Sequence, residues 1–247
     1  DLEGIEAAVA MLVPRLSKMA LKYPGTTMTL LANLVVIMSA HFGESCLAWM
    51  RSLPDDYMTK KQTVSYAGLF DDVGADAWYA SSVDYVKYGR LMYGTGSNLF
   101  QPDAQMTRAM LAQVLYELEG APSVKGLSCP FTDVGGSWYT DAVIWAYHAG
   151  VVAGVSATQF APNEALTREQ MVTMLYGYAG RDEQLSGSDG ALASYQDQAS
   201  VSDWAREAMA WAVSSDVISG TSATTLAPQK IGTRAEVATV LMQFCEQ

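Results

Sequence analysis

Apolar positions recur at helical spacing in a series of short segments, as at Val83, Tyr85 and Val86, and again at Ala208, Met209, Ala212 and Val213. Each segment closes before a loop with a Gly and a Phe/Leu-x-Pro element, at Phe100, Phe160 and Leu226. The Pro halts any helix and presets an extended backbone before it. A second helix is predicted beyond each loop, because Thr107, Thr167 and Thr233 sit where an N-cap should. Gln170 and Glu236, three residues on, complete a capping box in the second and third copies, whereas Met110 forfeits it in the first. Gly120 and Gly180, both thirteen residues after their Thr, suit the left-handed position that ends a helix.

The pattern is a repeat. Trp78, Trp138 and Trp204 each lie 30 residues before an Arg, at Arg108, Arg168 and Arg234. A Gly falls sixteen residues after each Trp (Gly94, Gly154, Gly220), and a Pro six residues before each Arg (Pro102, Pro162, Pro228). Landmarks in register three times over define a tandem array. Its units fall at residues 67–120, 128–180 and 192–247, with loop-like linkers between them.

Residues 1–66 lie outside the repeat. Helical spacing over 2–23, a kink at Pro14, the Pro24-Gly25 turn and a second apolar stretch toward Leu53 predict a helical hairpin. The most apolar run, 28–40, is thirteen residues long. A helix needs roughly twenty to cross a bilayer, so no transmembrane segment is expected.

The net charge of −11 excludes nucleic acid as a partner, since phosphate is bound through clustered Lys and Arg. Residues 67–247 hold nine basic and twenty acidic side chains, so an anionic ligand there has to be met at short range by a few placed Arg residues. Three scattered cysteines form neither a zinc motif nor a disulfide framework. With two histidines, no nucleophile elbow and no phosphate loop, the expectation is a non-enzyme without metal or cofactor. His148 reads as a helix-surface residue.

An aromatic-x-Asp opening (Phe70 to Asp72, Phe131 to Asp133, Tyr195 to Asp197), the Trp, the Gly, the Phe-x-Pro loop and a Thr-Arg helix start together resemble the S-layer homology family. The resemblance implies an all-α fold: three tandem helix-loop-helix repeats in a pseudo-threefold bundle, here preceded by the hairpin. It implies grooves between repeats that bind secondary cell-wall polysaccharide, in much of the family through a pyruvylated N-acetylmannosamine. The family's binding positions fall on Asp72, Trp78, Gly94 and Arg108, on Asp133, Trp138, Gly154 and Arg168, and on Asp197, Trp204, Gly220 and Arg234. The third copy departs most at its opening, with Gln198 for Val, Ala205 after the Trp and a longer loop.

Two readings stay open for the chemistry. Each Arg either grips a ligand carboxylate with paired donors or forms an ion pair with an Asp of the repeats. Each Trp is either a partly buried anchor or a face for a sugar ring. The function expected is a non-catalytic, extracellular anchor on the bacterial cell wall. The alternatives are a lattice protein self-associating through residues 1–66, and the anchor tail of a surface enzyme whose catalytic part lies upstream.

Overall fold

In each repeat the second helix starts at the Arg, because the preceding Thr turns its hydroxyl back onto the first turn. In this computed structural model, which describes residues 70–181 and 185–246, Thr107 Oγ1 accepts from the Met110 N–H, and Thr167 and Gln170 close a full capping box. Thr233 and Glu236 exchange the same two bonds. The hairpin expected over residues 1–66 lies outside the described residues.

Six α-helices result among the described residues: α1 Ala80–Tyr88, α2 Arg108–Leu118, α3 Thr140–His148, α4 Arg168–Ala179, α5 Arg206–Ser214 and α6 Arg234–Cys245. A short 3-10 turn at Asp203–Ala205 leads into α5. Among the described residues there is no strand, only isolated bridges, so the expected all-α class stands. Gly120 takes the left-handed conformation after α2, at φ +84°. Gly180 does not. It caps α4 at φ −68°, because α4 runs to twelve residues where α2 has eleven, and the Gly180 N–H still bonds the Tyr176 carbonyl.

The first helices bury a small-residue face: Val83 and Val86 on α1, Ala142, Val143 and Ala146 on α3, Ala208, Met209 and Ala212 on α5. Each second helix lies on the first helix of the next repeat. Thus α2 packs on α3 with Tyr116 against Trp145 at 5.7 Å, and α4 packs on α5 with Tyr176 against Trp211 at 5.5 Å. The third repeat returns to the first, where Thr239 Oγ1 on α6 lies 3.1 Å from Ser82 Oγ on α1.

The closure is clearest in the backbone. The Met106 N–H donates to the Gly232 carbonyl (3.1 Å), Gly232 N–H to Leu166 (2.9 Å) and Leu166 N–H to Met106 (2.8 Å), a ring of three equivalent positions. The first two N–H groups of every second helix, which have no partner inside their own helix, donate across to the next repeat. Arg108 and Ala109 reach the carbonyls of Glu164 and Pro162, Arg168 and Glu169 those of Lys230 and Pro228, Arg234 and Ala235 those of Ala104 and Pro102. Helix starts supply the seams of a pseudo-threefold bundle.

The loop residues Phe100, Phe160 and Leu226 are fully buried beside these seams. Phe160→Ala is therefore expected to cost about 3–5 kcal/mol, the usual range for deleting a buried Phe side chain. Because the ring joins the repeats, residues 70–246 should still unfold in one transition by denaturant melting followed with near- and far-UV circular dichroism. Separate loss of the second repeat would contradict the closed ring.

Candidate functional site

Each opening Asp holds the loop of its own repeat. Asp72 accepts from the Phe100 and Gln101 N–H groups (2.8 and 2.7 Å), Asp133 from Phe160 and Ala161 (2.9 and 2.7 Å), and Asp197 from Leu226 and Ala227 (2.9 and 2.7 Å). The second residue of each pair sits at positive φ, +57° at Gln101, +58° at Ala161 and +54° at Ala227. That region is disfavoured for residues with a Cβ, and the two charge-assisted bonds hold it.

Each Arg grips the same loop from the other side and from the preceding repeat. Arg108 Nε donates to the Phe160 carbonyl (2.8 Å) and its Nη2 to Ala153 (3.0 Å). Arg168 holds Leu226 and Ser219 at 3.1 and 2.8 Å, and Arg234 holds Phe100 and Tyr93 at 2.7 and 2.6 Å, which carries the third repeat back to the first. The guanidinium of Arg108 stacks on the Phe160 ring and that of Arg234 on the Phe100 ring, each at 4.6 Å. All three Arg residues are 6–7% exposed.

The ion pair with an Asp of the repeats, one of the two sequence readings of the Arg residues, does not describe this arrangement. None of the three forms an ion pair among the described residues, because the Asp carboxylates are occupied by loop N–H groups. The Nε–Nη2 edge of each is spent on backbone carbonyls. What remains in each is the outer edge formed by Nη1 and the second Nη2 hydrogen, without a protein partner among the described residues, and a charge. Burial pushes the three guanidinium groups down from their ordinary value, and nearby carboxylates push back: Glu164 and Asp133 on Arg108, Glu236 on Arg168, Asp72 on Arg234.

Gly94, Gly154 and Gly220 are close-approach positions and not left-handed ones. A Cβ there would stand 2.7 Å from the Phe70 ring, 2.5 Å from the Phe131 ring and 2.6 Å from the Tyr195 ring. The opening aromatic thus lies close against the Gly. The Trp residues resolve differently from a buried anchor. Trp78, Trp138 and Trp204 are 65%, 60% and 59% exposed, and Trp78 and Trp138 stand edge-on to Tyr79 and Tyr139. His148 is exposed at the end of α3, with Nε2 2.8 Å from the Ser128 carbonyl.

Arg234 and Trp138 meet in an open groove of about 360 Å³. Leu91, Met92 and Tyr93 after α1, Met106 before α2, and Met110, Gln113, Val114 and Glu117 on α2 form the rest of its wall. One groove therefore draws on all three repeats. The repeat relation sets α4 with Trp204 and Arg108, and α6 with Trp78 and Arg168, in the equivalent positions. No His, Cys, Asp and Glu cluster able to hold a metal occurs among the described residues. No described helix is long and apolar enough to cross a membrane.

Glu169 was not singled out in the sequence. Its carboxylate is buried and accepts from the Ser202 N–H (3.0 Å), Ser202 Oγ (2.8 Å) and Gln229 Nε2 (2.8 Å), tying down the longer opening loop of the third repeat beside Trp204. The signal was present: Glu169 stands where the other copies have Ala109 and Ala235, and only the third copy has the longer loop to anchor.

A ring-closed module of three helical repeats, with an exposed Trp on each and grooves between them, is the architecture of a bacterial cell-surface anchor. The S-layer homology domain matches residues 69–110, 130–172 and 194–238, more than half of the chain, and the chain belongs to that family. Similar proteins include the exoglucanase XynX of Acetivibrio thermocellus, 28% identical over 72% of this chain and 16% of its own length. An S-layer protein of Bacillus thuringiensis subsp. finitimus is 28% identical over 72% of this chain and 21% of its own length. The surface-layer 125 kDa protein of Lysinibacillus sphaericus is 31% identical over 74% of this chain and 15% of its own length. The chain spans less than a quarter of each of these relatives. Modules of this family are non-catalytic and hold proteins on the cell wall, which places this chain at the bacterial cell surface.

Two consequences can be measured. Arg168→Ala strands the Leu226 and Ser219 carbonyls and should cost about 3 kcal/mol, from the worth of hydrogen bonds to charged groups, with Arg168→Lys recovering only part; unchanged melting would remove the clasp. The second concerns acid. Partial desolvation pushes the Asp133 carboxyl up, but the Phe160 and Ala161 N–H groups outweigh it and hold it below the ordinary value; the Leu226 N–H, ahead of the other contributions, does the same for Asp197. A carboxyl depressed in the folded state adds stability above its unfolded value of about 3.9, and that stability is lost as pH falls through the lower folded value. Melting temperature should fall below about pH 4, and fall less in the Asp133→Asn/Asp197→Asn variant. An equal fall in both would contradict the assignment.

Proposed function

We propose that this chain fastens its parent protein to the secondary polysaccharide of a bacterial cell wall, with the polymer's anionic sugar, such as a pyruvylated one, seated in the grooves between repeats. The observation that carries the reading is the pairing of an exposed Trp with a desolvated guanidinium in one groove of a strongly acidic chain. The Trp offers a face to the C–H side of a sugar ring, and the Arg offers its outer Nη1–Nη2 edge and a charge that water screens weakly. The Asp and Gly positions serve the ligand indirectly, by fixing the loop that carries the groove wall.

The relatives favour anchorage over any particular cargo. The same module is shared by proteins named as an exoglucanase and as S-layer proteins, so what they have in common here is attachment. Residues 1–66 lead into the cargo on this reading, and neither catalysis nor nucleic acid belongs to the chain.

The full chain should sediment with wall sacculi that keep their secondary polymer and stay in solution with sacculi stripped of it. Trp138→Ala should weaken sedimentation at least about tenfold, some 1.4 kcal/mol, without changing the melting curve, since the ring is exposed. Equal retention on stripped sacculi would move the target to peptidoglycan. Sedimentation of the chain without any sacculi would favour self-association.

A further inference from the structure

The opening loops of the three repeats differ in length, and their exposed Trp residues are supported in different ways. Trp78 lies six residues after its opening Asp and Trp138 five, whereas Trp204 lies seven residues after Asp197. In the first two copies a Tyr follows the Trp, and Trp78 and Trp138 stand edge-on to Tyr79 and Tyr139 at 5.2 and 5.1 Å. Their shorter loops are closed by near neighbours. The Ala77 N–H donates to the Gly74 carbonyl (3.0 Å), and the Ser137 N–H to Thr140 Oγ1 (3.0 Å). In the third copy Ala205 stands in place of the Tyr and is itself buried, so the residue after Trp204 offers it no ring.

What the third copy has instead is Glu169, on a helix of the preceding repeat. Its side chain belongs to a residue only 2% exposed, and no other carboxylate is buried among the described residues. Both oxygens face the long loop: Oε2 accepts from the Ser202 N–H, and Oε1 from Ser202 Oγ and from Gln229 Nε2. Gln229 Nε2 also lies 3.1 Å from the Ser200 carbonyl. The loop is therefore held at two places, four and two residues before Trp204. The 3-10 turn Asp203–Ala205 that carries the indole packs on that same helix, α4. A carboxylate taken out of water is costly unless it is hydrogen-bonded, and three donors meet this one. Its place in the first turn of α4, at the positive end of the helix dipole, favours it further. Ala109 and Ala235, at the same place in the other two seams, have no group with which to hold a loop.

We propose that Glu169 is a positioning residue for Trp204: from the second repeat it fixes the long opening loop of the third, and so presets the indole face that stands with Arg108 and α4. It does for this ring what Tyr79 and Tyr139 do for the other two. A loop and ring already in place spare the ordering that would otherwise oppose binding. The proposal rests on the anchor reading and adds to it a residue that touches no ligand.

The probe is wall sacculi that keep their secondary polymer, with the affinity of the full chain read from sedimentation isotherms well below the melting temperature of each variant. Glu169→Ala introduces the side chain that the other two seams carry, so α4 still forms. It should weaken binding about two- to tenfold, the cost of ordering one side chain and its loop. Glu169→Gln, which keeps one accepting oxygen, should recover part of the loss. Trp204→Ala should weaken binding at least as much as Glu169→Ala. The double variant Glu169→Ala/Trp204→Ala should then bind within about twofold of Trp204→Ala alone, because a residue that acts through the ring has nothing to act on once the ring is gone. In chain labelled with fluorotryptophan, the fluorine resonance of Trp204, assigned through Trp204→Phe, should shift or broaden in Glu169→Ala while that of Trp138 stays in place. Losses that multiply in the double variant, an unmoved Trp204 resonance, or a Trp204→Ala variant that binds like the unaltered chain would each overturn the proposal and leave the anchor reading intact. Failure of the unaltered chain to sediment sinks the anchor reading, and the proposal with it.

Discussion

One residue in each repeat is held from both sides, and the rest of the module depends on it. At Phe160 the N–H is bound by Asp133 of the same repeat and the carbonyl by Arg108 of the preceding one, with the side chain fully buried between. Phe100 and Leu226 are held in the same way by Asp72 with Arg234 and by Asp197 with Arg168. The carboxylate sets the shape of the loop, including a left-handed residue before the Pro. The guanidinium sets where that loop stands relative to the neighbouring repeat. Because the third repeat clasps the first, the positions of all three grooves are fixed by one closed set of contacts.

This arrangement bears on how an acidic chain can meet an anionic polymer. Over more than about a Debye length, roughly 8 Å in physiological salt, the net charge of −11 repels or is screened. Attraction has to come from charges that are close, fixed and partly out of water. Three Arg residues held by backbone carbonyls meet that condition without rearrangement when a ligand arrives, so ordering costs little on binding. The same carbonyls occupy the Nε edge, which leaves charge, the outer Nη1–Nη2 edge and the exposed Trp faces to do the recognising.

Much of this was legible in the sequence. Six helices, the Thr caps, the capping boxes in copies two and three and the loss of one at Met110 follow from local hydrogen bonding, which leaves a mark within four residues. The role of the Arg residues left none, since their acceptors are backbone carbonyls 52, 58 and 134 residues away, and any residue type supplies a carbonyl. The Trp residues were ambiguous for a related reason: whether a ring at a helix start turns inward depends on what packs there. The buried places went to Trp145 and Trp211, which face the neighbouring second helices, leaving Trp78, Trp138 and Trp204 outside. Gly180 misled because its helix runs one residue further than its counterpart, past the point where a left-handed turn was expected.

Native-state hydrogen exchange on the full chain addresses the doubly held residue most directly. The amides of Phe100, Phe160 and Leu226, and of the central ring positions Met106, Leu166 and Gly232, should all exchange only through global unfolding of the module, with one common free energy. If any of these loops exchanged by local opening while the helices on either side stayed protected, the clasp would not be what holds the repeats together.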